Sequence, residues 1–260
     1  MSGRPGADDN LSMFDRLDLI LDAIEEEGFL TLSGVISRTG IARSTAHRLL
    51  TQMERRQWLF RAGQNYELGP RLFTLGTRGV RNQWFYRRTS STLHWLHAQT
   101  RCVVHLAYLD GTTAVCWDKI GSGTFAEAVP TRIGAHVAAH TSAFGKALLA
   151  SQPGRLIETI GALSSVTQNS IVTTQDLHSE LETVRKQGFA VDNEESFAGV
   201  GCFGTTIHPG ADGAFTAHRT TAAISVCAPI DRLDSGLIAP LLSAKRQILR
   251  NIRVNPMTDS

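Results

Sequence analysis

The stretch Arg43-Ser-Thr-Ala-His-Arg48 puts two guanidinium groups, two hydroxyls and an imidazole within six residues. These side chains hydrogen-bond to phosphate oxygens and base edges, and arginine takes guanine O6 and N7 through two parallel bonds. Ala46, Leu49, Leu50 and Met53 recur beside them at helical spacing. A helix beginning near Arg43 would bury that stripe and turn Arg43, Ser44, His47, Arg48 and Gln52 outward, with Thr45 beside them. Glu54 is the one acid among Arg43, Arg48, Arg55 and Arg56.

A second set of reactive types is scattered further along. His105, His136, His140, His208, Asp192 and the cysteines are metal-ligating in kind. His136 and His140, four apart, would share a zinc ion only on a helix, and AHVAAH is expected to run extended. Cys202 or Cys227 with His140 could pair a nucleophile and a base, but no local signature supports it. Lys146 in FGKA is read as a helix-surface or supporting residue. The GSG at 121–123 lacks the GxxxxGK[ST] context and reads as a loop between strands. No catalytic residue, metal ligand or cofactor is assigned. A metal-responsive sensor, and an enzyme fused to a DNA-binding domain, remain the alternatives.

The elements that would position the first set lie around it. Ser12-Met-Phe-Asp15 fits a capping box, Phe14, Leu17, Leu21 and Ile24 follow at helical spacing, and Gly28 stops the run. Thr31 can cap a second short helix that ends at Thr39-Gly40, and only Ile41 and Ala42 separate it from the third. Two helices joined by such a turn form a helix-turn-helix whose second helix enters the major groove. Residues 58–61 and 65–68 flank Ala62-Gly63-Gln64 and read as a hairpin, the wing, with Arg61 at its base.

Charge supports the same reading. Net charge is only +2, yet residues 8–27 carry eight acids and one base, whereas residues 38–61 carry six arginines and one acid. Residues 71–88 add five arginines and no acid, on a stretch expected to be a linker helix. Such clustering is the sequence footprint of a polyanion-binding surface. No apolar run approaches the ~20 residues of a membrane span. The N-terminal MSGRPGADDN reads as a flexible tail rather than a signal peptide. Cys102, Cys116, Cys202 and Cys227, with no CxxC pair, fit reduced thiols in a cytoplasm.

From Thr89 the pattern becomes mixed helix and strand. A helix ends near Gln99, CVVHLAYL and TAVCWDKI form a hairpin around Asp110-Gly111, and residues 141–150 and 173–187 read as helices. FAVD, CFGTTI and AAISVCAP are strand-like. A last helix runs from about Ser235 to Arg253, with Leu237, Ile238, Leu241 and Leu242 on its buried side.

In TLSGVISRTGIARSTAHRLLTQMER followed by YELGPRLFTLG, the chain resembles the N-terminal domain of IclR-type bacterial transcriptional regulators. WDKIGSG, RIGAHVAAHTSAFGKALLA, GFAVDNEE and AAISVCAP continue the resemblance over nearly the whole chain. It implies an α+β protein: a winged helix-turn-helix domain over 1–70, a linker helix over 71–88, and an effector-binding domain similar to GAF or PAS pockets over 89–260. It further implies a cytoplasmic, ligand-responsive regulator that binds a pseudo-palindromic operator as a homodimer or dimer of dimers. DNA contacts would come from Arg38, Arg43, Ser44, Thr45, His47, Arg48 and Arg61. A small organic or aromatic acid would be held by Val129, Ala143, Phe144, Asp192, Cys202, Ser225 and Cys227. The sequence departs from the family at Gly201-Cys202, at Ala138-Ala139-His140 and in a longer loop from His208 to Thr221.

Overall fold

The computed structural model describes residues 11–82, 84–158, 160–207 and 221–253. The expected N-terminal tail, His208 and the long loop up to residue 220 lie outside the described residues. Two compact units divide the chain, Met1–Gln83 and Trp84–Ser260.

In the first unit, helix α1 (Met13–Glu27) opens on the capping box. Ser12 Oγ accepts the Asp15 N–H at 3.2 Å and Asp15 Oδ2 accepts the Ser12 N–H at 2.8 Å. A short strand β1 (Leu30–Thr31) follows, which the sequence reading lacked. Thr31 caps α2 (Leu32–Thr39), and left-handed Gly40 closes it by donating its N–H to Ile36 O at 2.9 Å. After two residues comes α3 (Arg43–Arg55). Strands β2 (Leu59–Ala62) and β3 (Asn65–Leu68) form the wing hairpin, and β1 pairs on the far side of β3. Ile20, Ile24, Val35, Ile41, Leu49, Leu50, Met53 and Tyr66 make one core. Helix α4 (Pro70–Asn82) completes the unit, with Pro70 at its first position, where the missing N–H costs nothing.

The linker helix expected over 71–88 falls on helical residues wherever it is described: 71–82 belong to α4 and 84–88 begin α5 (Trp84–Thr100), in the second unit. Phe85 is buried and stacks on Trp117 with ring centroids 5.6 Å apart, as a core residue does.

The second unit continues with β4 (Val103–Asp110), β5 (Thr113–Ile120), α6 (Gly123–Ala128) and β6 (His136–Ala138). Then come α7 (Ala143–Ala150), α8 (Gly154–Glu158), α9 (Thr174–Gln187), β7 (Ala190–Asn193), β8 (Val200–Ile207) and β9 (Ala222–Pro229). Two 3-10 turns lead into α10 (Ile238–Arg253). The six strands form one antiparallel sheet in the order β6-β5-β4-β9-β8-β7. In the β4–β5 hairpin Asp110 pairs with Thr113, so the two turn residues are Gly111-Thr112, one position beyond expectation. Gly111 has φ +56°, as the first central residue of such a loop requires.

Alternation along the strands separates two faces. Val104, Leu106, Ile224 and Val226 pack with Leu93 and Leu96 of α5 and with Leu241, Ala244, Ile248 and Ile252 of α10. Leu242, expected on that buried stripe, is only half-buried. On the opposite face Ala107, Ala190 and Ala223 meet α7 and α9. Small residues there let α7 lie close to the strands, and all eight of its residues are buried.

Candidate functional site

The surface of α3 carries the first candidate site. Ala46, Leu49, Leu50 and Met53 are buried, while Arg43, Ser44, His47 and Arg48 are exposed and Thr45 is half-buried. The other two candidates are engaged within the unit. Arg38 on α2 contacts Glu27 of α1 and lies 3.9 Å from Glu26. Arg61 donates its Nε–H to Gly63 O at 3.0 Å, with its guanidinium 5.5 Å from the centre of the Tyr66 ring. Among the described residues, the candidate donors without a partner thus concentrate on one helix face.

The second site is a cavity of about 290 Å³ in the other unit. Its floor follows from strand register. Asp192, Cys202, Cys227 and Val103 form one row across β7, β8, β9 and β4, and Ala190, Gly204, Ser225 and His105 form the next. A Cβ on Gly204 would lie 2.5 Å from the Ala143 carbonyl carbon, so the first turn of α7 sits directly on the second row. The cavity opens over the first row and reaches His105 at the end of the second. Asp192, Cys202, Cys227 and His105 all line it, with Val129, Ala143 and Phe144 on its walls. Lys119 of β5 steadies one wall by donating to Val129 O at 2.7 Å and Thr131 O at 3.0 Å.

Six of the seven predicted pocket residues therefore meet around one cavity, and Ser225 does not line it. As Gly204's register partner it lies beneath α7, fully buried, with its Oγ 3.4 Å from His105 Nδ1. Asp192 is also less free than expected. Its Oδ1 accepts the N–H groups of Glu195 and Ser196 at 2.8 and 3.2 Å, and Oδ2 accepts the Ser196 hydroxyl. Burial nevertheless pushes this carboxyl above its usual range, against those hydrogen bonds.

Three further expectations change. Cys202 and Cys227 are joined in a disulfide, not reduced, because register sets them opposite each other on β8 and β9 with Cα atoms 4.1 Å apart. Cys102 and Cys116 are free and buried. Lys146 is not on a helix surface but wholly buried, ion-paired to Glu195 and Glu180. The segment after the GSG at 121–123 continues as α6 rather than as plain loop. Within AHVAAH, His136–Ala138 run extended as β6, while Ala139 and His140 lie in the turn that follows. His140 Nε2 there lies 3.0 Å from Ser164 O, and among the described residues no three metal-ligating side chains come together.

His105 was missed as a site residue. The signal was available: one imidazole inside the apolar run CVVHLAYL, on a strand whose neighbours are buried. Burial first, then the nearby Lys119 charge, lowers its pKa to about 3, so the ring is neutral. Its Nε2 is buried and has no partner among the described residues.

Comparison with known proteins places the chain in a family. The IclR helix-turn-helix domain matches residues 15–62, and the C-terminal domain of the bacterial transcriptional regulator IclR matches residues 80–253. The chain belongs to the IclR family of bacterial transcriptional regulators. It is a DNA-binding transcriptional regulator and not an enzyme, as are its relatives. The regulator KdgR of Dickeya chrysanthemi is 31% identical over 206 residues, covering 76% of this chain and 67% of KdgR. The repressor IclR of Escherichia coli K12 is 28% identical over 218 residues, 80% of this chain and 76% of its own. Two solved structures share the fold. Thermotoga maritima IclR has a TM-score of 0.67 at 24% identity, covering 92% of this chain and 98% of its own. An IclR homologue of Microbacterium hydrocarbonoxydans, complexed with 4-hydroxybenzoate, has a TM-score of 0.77 at 20% identity, covering 94% and 100%. No described helix is long and apolar enough to cross a membrane.

Proposed function

We propose that this regulator binds a pseudo-palindromic operator in the cytoplasm as a homodimer or dimer of dimers, and that a small organic or aromatic acid in the cavity controls its occupancy. Arg43, Ser44, His47 and Arg48 read the major groove, while Arg38, Thr45 and Arg61 support the approach. The domain boundaries near residues 70 and 88 belong to the same reading, with α4 as the DNA-side part of the connection.

The observation that carries the ligand class is the start of α7. Ser142 Oγ accepts the Gly145 N–H at 3.2 Å, whereas the N–H groups of Ala143 and Phe144 have no acceptor among the described residues. Both residues line the cavity, and a helix N-terminus with free N–H groups favours a carboxylate. The remaining wall is mostly apolar, which suits a compact or flat body. The 4-hydroxybenzoate complex of the Microbacterium homologue is consistent with that choice.

Control requires the acid to bind one functional state better than the other, since equal affinity shifts nothing. Thermal-shift screening against small aliphatic and aromatic carboxylates, followed by operator binding with and without each hit, tests the proposal. A hit should raise the melting temperature by mass action and change operator affinity. Stabilising acids that leave operator affinity unchanged would refute the coupling.

A further inference from the structure

His105 lines the cavity, and its Nε2 is a buried polar atom with no partner among the described residues. Unpaired buried donors and acceptors are costly, and one on a residue that lines a cavity points to a partner from outside the chain. Which role Nε2 plays follows from the other ring nitrogen. Nδ1 lies 3.4 Å from Ser225 Oγ and 3.6 Å from Cys227 Sγ. The Ser225 hydroxyl is fully buried, and its hydrogen-bonding neighbours among the described residues are Nδ1 and the Cys227 sulfur at 3.9 Å. A disulfide sulfur has no proton to give and accepts only weakly. Were Nδ1 protonated, the Ser225 O–H would be left with that sulfur alone. The hydroxyl therefore donates to Nδ1, and the proton of the neutral ring resides on Nε2.

We infer that His105 offers an Nε2–H donor to the cavity in a tautomer fixed by Ser225, and that the bound acid places a carboxylate, carbonyl or hydroxyl oxygen on it. The inference rests on the cavity being the effector site and adds a second anchor to the helix N-terminus. It gives Ser225 a positioning role, acting through His105 rather than on the ligand. It also narrows the ligand to molecules with two acceptor groups, one for the α7 N–H groups and one for His105. A monofunctional apolar acid leaves one of the two unsatisfied. Phe144, whose ring centroid lies 5.9 Å from that of His105, limits the thickness of what fits beside it.

The test uses the full-length protein labelled with ¹⁵N-histidine. Long-range ¹H–¹⁵N correlation, with His105→Gln for assignment, reads the tautomer before any ligand is added. We expect Nε2–H in the wild type, and loss of that preference in Ser225→Ala. Adding 4-hydroxybenzoate should shift the Nε2 resonance. Calorimetry should show 4-hydroxybenzoate bound at least about tenfold more weakly by His105→Phe, with His105→Gln, which keeps an N–H donor, lying between. Benzoate should lose less than 4-hydroxybenzoate on the same change. An Nδ1–H tautomer in the free protein, or a His105→Phe variant as tight as wild type, overturns this inference and leaves the cavity reading standing. Wild type that binds neither acid overturns both.

Discussion

Lys146 Nζ lies 2.7 and 2.8 Å from the two carboxylate oxygens of Glu195 and 2.9 Å from Glu180 Oε1. This triad ties α7 to α9 and to the turn after β7. The lysine is only 1% exposed, so its charge is held by those carboxylates, with the Asp192 carboxyl also within its field. Burial pushes Glu195 upward while Lys146 pulls it down. Removing one partner of a buried pair leaves the other charge uncompensated, at a cost of about 3–5 kcal/mol. Lys146→Met should lose that much in denaturant unfolding. Adding Glu195→Leu should restore much of it, because Glu180 is partly exposed and can turn to water. A single variant within about 1 kcal/mol of wild type would show the triad to be structurally idle.

Stability should fall with acid through His105. The ring's pKa is about 3 when folded and 6.5 as the ordinary value. Between those values the unfolded chain binds the extra proton, so stability rises with pH across that window and is fully present above 6.5. Near pH 5 the loss attributable to this group is roughly 2 kcal/mol. Asp192 and Glu195 act oppositely: their raised folded values stabilise below the ordinary carboxylate range and fade as pH rises through the folded values. Urea unfolding of wild type and His105→Gln at pH 7 and pH 5 separates them. The variant should lose the His105 share of the acid sensitivity, and parallel curves would count against a buried neutral imidazole.

Local signals were legible in the sequence where chemistry and geometry are local. Ser12 and Asp15, Thr31, Gly40 and the Ala46–Met53 stripe act within a few residues of themselves, so the first unit could be read almost element by element. The floor of the cavity was harder, because it depends on register across four strands. Nothing in the spacing of Cys202 and Cys227, 25 residues apart, says that they face each other. Ser225 and Cys227 alternate onto one face as expected, yet α7 covers one and leaves the other open. That difference depends on Gly204, a residue two strands from His105. Lys146 misled for a related reason: a lysine in an apolar helix reads as surface until its acids, Glu180 and Glu195, arrive from distant segments.

On DNA, exposure and engagement rank the arginines. Arg43→Ala and Arg48→Ala should each weaken specific operator binding by about 1–3 kcal/mol if the side chain reads a base. A phosphate contact would instead weaken all duplexes alike and lower the salt slope by about one. Arg38→Ala and Arg61→Ala should cost less, since Glu27 and Gly63 already hold those groups. Anisotropy with specific and random duplexes at several salt concentrations distinguishes the cases. Intact, folded Arg43 and Arg48 variants with unchanged affinity would remove α3 from the major groove.

Gly204 offers the sharpest check on how the cavity is built. A Cβ there would lie 2.5 Å from both the carbonyl carbon and oxygen of Ala143, and 2.8 Å from Phe144 N. All three are backbone atoms, which cannot swing aside as a side chain would. Gly204→Ala must therefore lift the first turn of α7 from the sheet, with an overpacking cost of about 1–3 kcal/mol. The same shift would move the Ala143 and Phe144 N–H groups and uncover Ser225. Acid binding should consequently fall further than stability does. Gly161→Ala serves as the control, because a Cβ there meets nothing within 4 Å. Calorimetry with 4-hydroxybenzoate at a temperature where both variants are folded provides the comparison. If Gly204→Ala binds the acid as Gly161→Ala does, the α7 N-terminus is not the carboxylate's anchor.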